Sequence, residues 1–374
     1  IFIMNHYPSN VKEKLNSIIL SMAEHHWLFS KNPGHDFTRQ HLGKLSFYDT
    51  MRLIISMGKG STNDEIMDYF DLDPDLIPSQ SAFCQRRRQI SLSAFEYLFS
   101  EFSSSFPSTT DKFKDHCILA CDGCHVVYAT NSDIIEDYNK PRLIDYKGYN
   151  HMHLNGFVDV ISKAFLDVVI QPGQQPDERE ALHSMLDHFT PDDPQKYIIT
   201  ADRGYESYDL LFHCELKNLG YVFRVKSPSS PKSILSYYAS EFPDDLEEFD
   251  VTIKRFFTDK ATNIMKSQSD VYRYINPSKN TPHFYELLRK KHSHLYFLQF
   301  RVVKIKTAEN TYEYLITNLP FSFTLDDIRE CYHWRWGIEI SFRYLKHAAG
   351  LLYFHSKQPE FLKQEIYSRL ILYN

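Results

Sequence analysis

The sequence predicts a mixed α/β protein: a mostly helical first third, a core of alternating strands and helices, and a β-rich insertion within that core. Three observations predict it. Residues 1–110 carry apolar positions at helical spacing, with helix caps in front of them. From Cys117 to Lys226 short apolar runs alternate with amphipathic stretches. From Ser227 to about Phe300 the spacing changes to alternating runs rich in basic residues.

Composition narrows the class. A chain of 374 residues is long enough for two or three domains and a sizeable core. Hydrophobic content of 43% and charged content of 24% are ordinary for a soluble globular protein. No apolar run approaches the roughly 18 residues of a membrane span, and the opening I-F-I-M-N-H-Y-P lacks a signal peptide's charged leader and cleavage site. The net charge of −6 argues against a uniformly basic nucleic-acid binder, but the charge is uneven. Between Thr252 and Lys306 twelve Lys and Arg stand against three acids, while Glu241–Asp250 holds six acids and no base. Such a local basic surface is compatible with DNA. Of the six cysteines, Cys121 and Cys124 have C-x-x-C spacing. No second pair stands at a recognised zinc spacing, and Cys117 and Cys121 read as buried strand residues, so reduced thiols are expected.

Taken in order, Asn10–Phe29 and Phe47–Ser56 read as helices, and Ser61 caps a helix over Ile66–Phe70. Asp71–Pro78 is a break. Ser79 then caps a helix carrying Arg86, Arg87 and Arg88. A short helix, a turn and a second basic helix form the pattern of a helix-turn-helix reader, so these arginines are assigned to DNA; the competing reading is the solvated face of a helical bundle. Polar Ser100–Thr110 reads as a linker.

Cys117–Cys121 is a strand ending at Asp122-Gly123, with a second piece at Val126–Thr130. His151–Val160 and Ala164–Ile170 continue a meander, and His151 and His153, on one strand face, read as exposed strand histidines, with approach to the site as the competing reading. Asp177–Phe189 is a helix, Tyr197–Ala201 a buried strand stopping at Asp202, Tyr208–Leu219 a helix closed by Gly220, and Tyr221–Lys226 a strand. Three strands, then helix, strand, helix, strand is the order of a ribonuclease-H-like fold. Both aspartates fall at carboxyl ends of strands, where open α/β sheets place their sites. Arg203 suits either a phosphate or an ion pair with Glu206, and Gly204 and Tyr205 shape the turn. Glu313–Asn318 is a returning strand, and Thr324 caps a last long helix. The expected division is 1–110, 111–226, 227–300 and 301–374. The chain opens without Met, and its end at Leu370–Asn374 reads as a helix cut short.

That last helix carries the most informative stretch, Cys331–Gly350. At about 100° per residue, Tyr332, Arg335, Glu339 and Lys346 fall within an arc of about 60°. Trp334, Ile338, Phe342 and Leu345 gather on the opposite, core-facing side. Gly337 costs roughly 1 kcal/mol against Ala in a helix and suits close approach of DNA or a strand. A carboxylate between Arg and Lys reads either as a metal ligand beside phosphate binders or as a solvated face with i,i+4 ion pairs. Asp122 and Asp202 likewise have plainer readings, as a turn residue and a helix cap.

The Tyr332-x2-Arg335-x3-Glu339-x6-Lys346 spacing resembles the Y-R-E-K signature of the insertion-sequence-four family of bacterial DDE transposases. Asp122 and the Asp202-x-Gly204-Tyr205 motif precede it in the family's order. The resemblance covers most of residues 79–374 and implies a DNA transposase that cleaves the ends of a mobile element and joins them to target DNA. It carries Asp122, Asp202 and Glu339 onto catalytic metal ligands for two Mg2+ ions, with Mn2+ as substitute. It carries Tyr332, Arg335 and Lys346 onto DNA-end contacts, with Trp336 where the family often has Trp. Expected partners are double-stranded DNA (terminal inverted repeats and target) and a second copy of the chain in a homodimer. The expected location is the bacterial cytoplasm, associated with the nucleoid and with no membrane. The alternatives are an inactive or truncated relative that only binds DNA, and a ribonuclease-H-like nuclease.

Overall fold

The structure is a computed structural model that describes residues 7–37, 45–105, 112–141, 148–243, 245–260, 262–276 and 281–374. The first third is helical, with α1 (Tyr7–Glu24), α2 (Phe47–Ser56), α3 (Thr62–Tyr69), α4 (Gln80–Gln89) and α5 (Leu92–Ser104). Their starts follow from local chemistry. Ser46 and Ser61 form capping boxes with Asp49 and Asp64, and the Ser79 hydroxyl accepts the Ala82 N–H. Between α3 and α4, Asp71 and Leu72 take left-handed backbone angles (φ 51° and 60°), which stops the first helix. The expected linker at 100–110 begins too early. Phe99, Phe102 and Ser103 are buried, and this apolar spacing carries α5 through Ser104; residues 106–110 lie outside the described part.

The strands are β1 (Cys117–Tyr128), β2 (Tyr138–Asn139), β3 (Tyr149–Asp159), β4 (Ala164–Pro172), β5 (Tyr197–Ala201), β6 (Gly220–Val225), β7 (Phe249–Thr258), β8 (Tyr272–Tyr274), β9 (Leu295–Ala308) and β10 (Thr311–Thr317). They form one mixed ten-stranded sheet in the order β2-β3-β1-β5-β6-β10-β9-β7-β8, with β4 also on β3. β1 pairs antiparallel with β3 and parallel with β5, which pairs parallel with β6. The β-rich segment after Ser227 is therefore no separate sheet: β9 joins β10, and β7 and β8 extend the same edge.

Helices α6 (Glu178–His188), α7 (Tyr208–Leu216), α8 (Asn263–Ser267), α9 (Pro282–Lys290), α10 (Leu325–Trp334), α11 (Gly337–His347) and α12 (Pro359–Tyr373) complete the chain. Gly220 does not close α7, since it is already the first residue of β6. Asn218 (φ 55°) makes the left-handed turn, while Leu219 N–H reaches Cys214 O and Asn218 N–H reaches Glu215 O, the two bonds of a Schellman ending.

Side chains alternate between the two faces of β1. Ile118 and Ala120 point into a core shared with α2, α4, α5, α10, α11 and α12; Leu119 and Cys121 point into a second core under α6, α7 and α9. This alternation puts Cys121 and Cys124 on opposite faces, so they cannot share an ion. The N-terminal helices are bound to the C-terminal one by buried charge. Arg87 on α4, 4% exposed, meets Glu365 on α12 at 2.8 Å and donates to Phe361 O, and Arg369 donates to Met57 O and Gly58 O. Among the described residues no helix is long and apolar enough to cross a membrane.

Candidate active site

Asp122 does not end its strand. β1 runs on to Tyr128, with Asp122 opposite Gly156 and Gly123 opposite Asn155 of β3. What ends is the parallel pairing with β5, whose last partners are Ala120 and Thr200. Asp122 and Asp202 each lie two residues beyond that pair, so neighbouring parallel strands carry both aspartates to the same level of the sheet. Asp202 also caps the 3-10 turn Arg203–Tyr205 by accepting the Gly204 N–H at 2.7 Å. Tyr205 is fully buried, its hydroxyl 3.4 Å from the Cys121 sulfur. Glu206 turns inward to Lys226 and the Ile234 N–H and leaves Arg203 exposed.

The expected single helix breaks between α10 and α11, because Arg335 N–H and Trp336 N–H bond to Tyr332 O and His333 O in three-residue turns. At this kink the chain presses on the residue following β3: a Cβ on Gly337 would stand 3.1 Å from the Val160 Cβ. The close approach allowed for at Gly337 is thus to a strand end.

The kink redistributes the four signature residues. Arg335, 4% exposed, places one terminal nitrogen 3.5 Å from Asp122 Oδ2 and the other 3.3 Å from Glu339 Oε1. One guanidinium therefore spans two of the three carboxylates. Glu339 is 43% exposed on its side chain, Trp336 is exposed, and Lys346 lies beside the Cys124 thiol. Burial pushes that thiol up to about 11, with Lys346 opposing. Tyr332 corrects the single-face expectation. Its ring is 4% exposed and packs with Ile328 and Cys331, with the Arg335 guanidinium 5.7 Å from its centroid. Trp334, expected in the core, is exposed, because the kink rotates α10 relative to α11.

Burial raises the Asp122 pKa to about 6; the charges of Asp202 and Glu178 add to the rise, and the Gly123 N–H and Arg335 oppose it. Glu178, the first residue of α6, escaped the sequence reading. It approaches the same strand ends from the other face, 3.3 Å from His153 Nε2. A Cβ on Gly123 would lie 2.2 Å from that nitrogen and 2.9 Å from Glu178 Oε1, so only glycine admits this contact. His153 and His151 are buried, not exposed, because β3 is covered on both faces. Oxygen donors from separate elements, with the Asp122 carboxylate disfavoured by burial and by neighbouring negative charge, match a hard divalent cation such as Mg2+.

Two expected DNA surfaces change. Of the three α4 arginines, Arg87 is a buried ion-pair partner, Arg86 stacks over Phe37 at 5.1 Å, and Arg88 is exposed. The acidic run 241–250 folds onto the basic segment, where Glu241 pairs with Arg255, Asp250 with Arg301 and Glu247 with Lys306 at 2.6 Å, and it also reaches α10, where Glu248 pairs with Arg329 at 2.7 Å. Arg255 and Arg301 are buried, while Lys254, Lys260 and Lys266 stay exposed; Lys279 and Asp244 lie outside the described residues.

No curated protein matches this sequence. Among solved structures, a cryo-EM structure of the piggyBac transposase synaptic complex with hairpin DNA is similar at 10% identity and a TM-score of 0.43, over 96% of this chain and 70% of that one. A family model described as the transposase DDE domain matches residues 113–374, the whole span that supplies the sheet, Asp122, Asp202 and the kinked helix pair. The chain belongs to the transposase DDE domain family.

Proposed function

We propose that this chain is a DNA transposase that binds the ends of an insertion sequence, cleaves them and joins the freed 3′-hydroxyl to target DNA. The observation that carries this reading is the Arg335 guanidinium held between Asp122 and Glu339, at the level of the sheet where β1 and β5 also carry Asp122 and Asp202. The strand order β4-β3-β1-β5-β6, antiparallel then parallel, supports a ribonuclease-H-like core.

Asp122, Asp202 and Glu339 would hold two Mg2+ ions, with Mn2+ able to substitute. When bound, such ions supply an activated water and neutralise charge on the attacking and leaving oxygens. Arg335 keeps Asp122 and Glu339 gathered against their own repulsion and offers a planar fork for a phosphate. Lys346 adds a point charge about two helical turns beyond Glu339, and the exposed Trp336 indole offers a stacking face to an unpaired base at the DNA end. Tyr332, buried behind Arg335, is assigned to holding that guanidinium in position. Exposed Arg88 and Lys254, Lys260 and Lys266 contact the duplex backbone, and two copies of the chain pair the two ends.

The test incubates the full chain with DNA carrying the element's own end and either Mg2+ or Mn2+. Cleavage and strand-transfer products are expected, and both should vanish in Asp122→Asn, Asp202→Asn and Glu339→Gln while DNA binding persists. Cleavage without strand transfer would make the chain a nuclease. Binding without cleavage would make it a DNA-binding relative.

A further inference from the structure

Away from these carboxylates, three histidines distant in sequence meet. His183 on α6, His213 on α7 and His283 at the start of α9 each bring a nitrogen within 4.8 Å of the others. Their rings stack, with centroids 5.2 Å apart for His183 and His213, 4.4 Å for His183 and His283, and 3.8 Å for His213 and His283.

The ring nitrogens divide into two sets. Nδ1 of His183 and Nδ1 of His213 face each other at 2.9 Å. The remaining contacts are with carboxylates. His213 Nε2 lies 3.2 Å from Asp187, His183 Nε2 3.6 Å from Asp209 Oδ2, and His283 Nδ1 2.7 Å from that same oxygen. An imidazole that gives one N–H to a carboxylate directs its other lone pair away from it, which is how ligating histidines are oriented.

Charge points the same way. The Asp209 side chain is 2% exposed, and its other oxygen accepts the His283 and Phe284 N–H groups at 3.0 and 3.2 Å. Among the described residues no Lys or Arg pairs with it. Burial lowers the pKa of both His183 and His213.

We propose that His183, His213 and His283 form a binding site for a divalent transition-metal ion, zinc by preference, with Asp187 and Asp209 orienting the imidazoles. Nitrogen donors of this borderline softness favour Zn2+, whereas the all-oxygen set at Asp122, Asp202 and Glu339 favours Mg2+. The ion would join α6 and α7 to α9, which belongs to the segment inserted between Asp202 and Glu339. A cleft of about 790 Å³ runs from His183 and His283 to Glu178 and Gly204, so the joint abuts the catalytic strand ends.

The test strips the full chain with chelator, dialyses it against zinc chloride and counts bound metal by mass spectrometry. One equivalent of zinc is expected to survive buffer exchange in the wild type and in Asp122→Asn/Asp202→Asn. It should be lost in His213→Asn/His283→Gln, and Asp209→Asn should weaken binding about 10–100-fold. Cobalt(II) bound to the wild-type chain should show the absorption of nitrogen ligation at low coordination number, a readout that needs no substitution. Sub-stoichiometric zinc in the wild type, zinc unchanged in the double histidine variant, or zinc lost with the two aspartates would each overturn the proposal. Since cleavage is not measured, failure of the transposase reading leaves this outcome untouched.

Discussion

Replacing Asp122 with Asn should stabilise the metal-free protein at neutral pH. The folded-state pKa of Asp122 is raised from the usual 3.8 to about 6, first by burial and then by Asp202 and Glu178. At about 1.36 kcal/mol per unit, that rise corresponds to about 3 kcal/mol. The sign follows from proton linkage. A group with a raised folded pKa favours the fold while both states are protonated, and that contribution is lost as pH rises from 3.8 through about 6. Asn removes the ionisation yet keeps an oxygen for the Gly123 N–H bond, now 2.8 Å. The gain should therefore be about 1 kcal/mol near pH 4.5 and about 3 kcal/mol near pH 7.5. Urea unfolding of both proteins in EDTA, repeated across this range, measures it. Millimolar Mg2+ should then stabilise the wild type and leave Asp122→Asn unmoved. A variant no more stable than the wild type near pH 7.5, or one whose advantage does not change with pH, would refute the argument.

Other perturbations separate structural from DNA-facing charge. Arg87→Met leaves buried Glu365 without its 2.8 Å partner and should cost about 3–5 kcal/mol in urea unfolding, with the salt dependence of DNA binding unchanged. Neutralising exposed Lys254, Lys260 and Lys266 together should leave stability alone and flatten the log–log salt slope by about 0.9 per lost contact; an unchanged slope would place the DNA path elsewhere. Arg335→Gln removes the cation opposing the rise at Asp122, so the acidic limb of the cleavage pH profile should move to higher pH. Glu178→Gln removes a negative neighbour and should move that limb to lower pH. Gly123→Ala should unfold the site locally, since its methyl would collide with His153, and the loss should show as faster amide exchange along β1 and β3.

Local chemistry alone determined much of this protein. Side-chain caps at Ser61, Ser79 and Thr324 placed α3, α4 and α10, because a cap bond reaches only two or three residues. The apolar run Tyr197–Ala201 gave β5 with both its ends. The spacing of Arg335 and Glu339, four residues apart, allowed an ion pair as one of two readings, and they pair at 3.3 Å. Which charges would be spent inside the fold was not legible. Arg87 and Arg88 are adjacent and alike, yet one is buried against a carboxylate 278 residues away, which only the docking of α12 decides. Likewise Glu241, Glu247 and Asp250 of the acidic run pair with strands that follow it, so a local charge count overstated the basic surface. At the kink beyond Tyr332 the chain packs Gly337 against Val160, a contact between distant segments. The histidine cluster left no spacing signal at all. His183, His213 and His283 come from three helices, and the packing of those helices around one buried carboxylate, with no short-range rule, brings their nitrogens together.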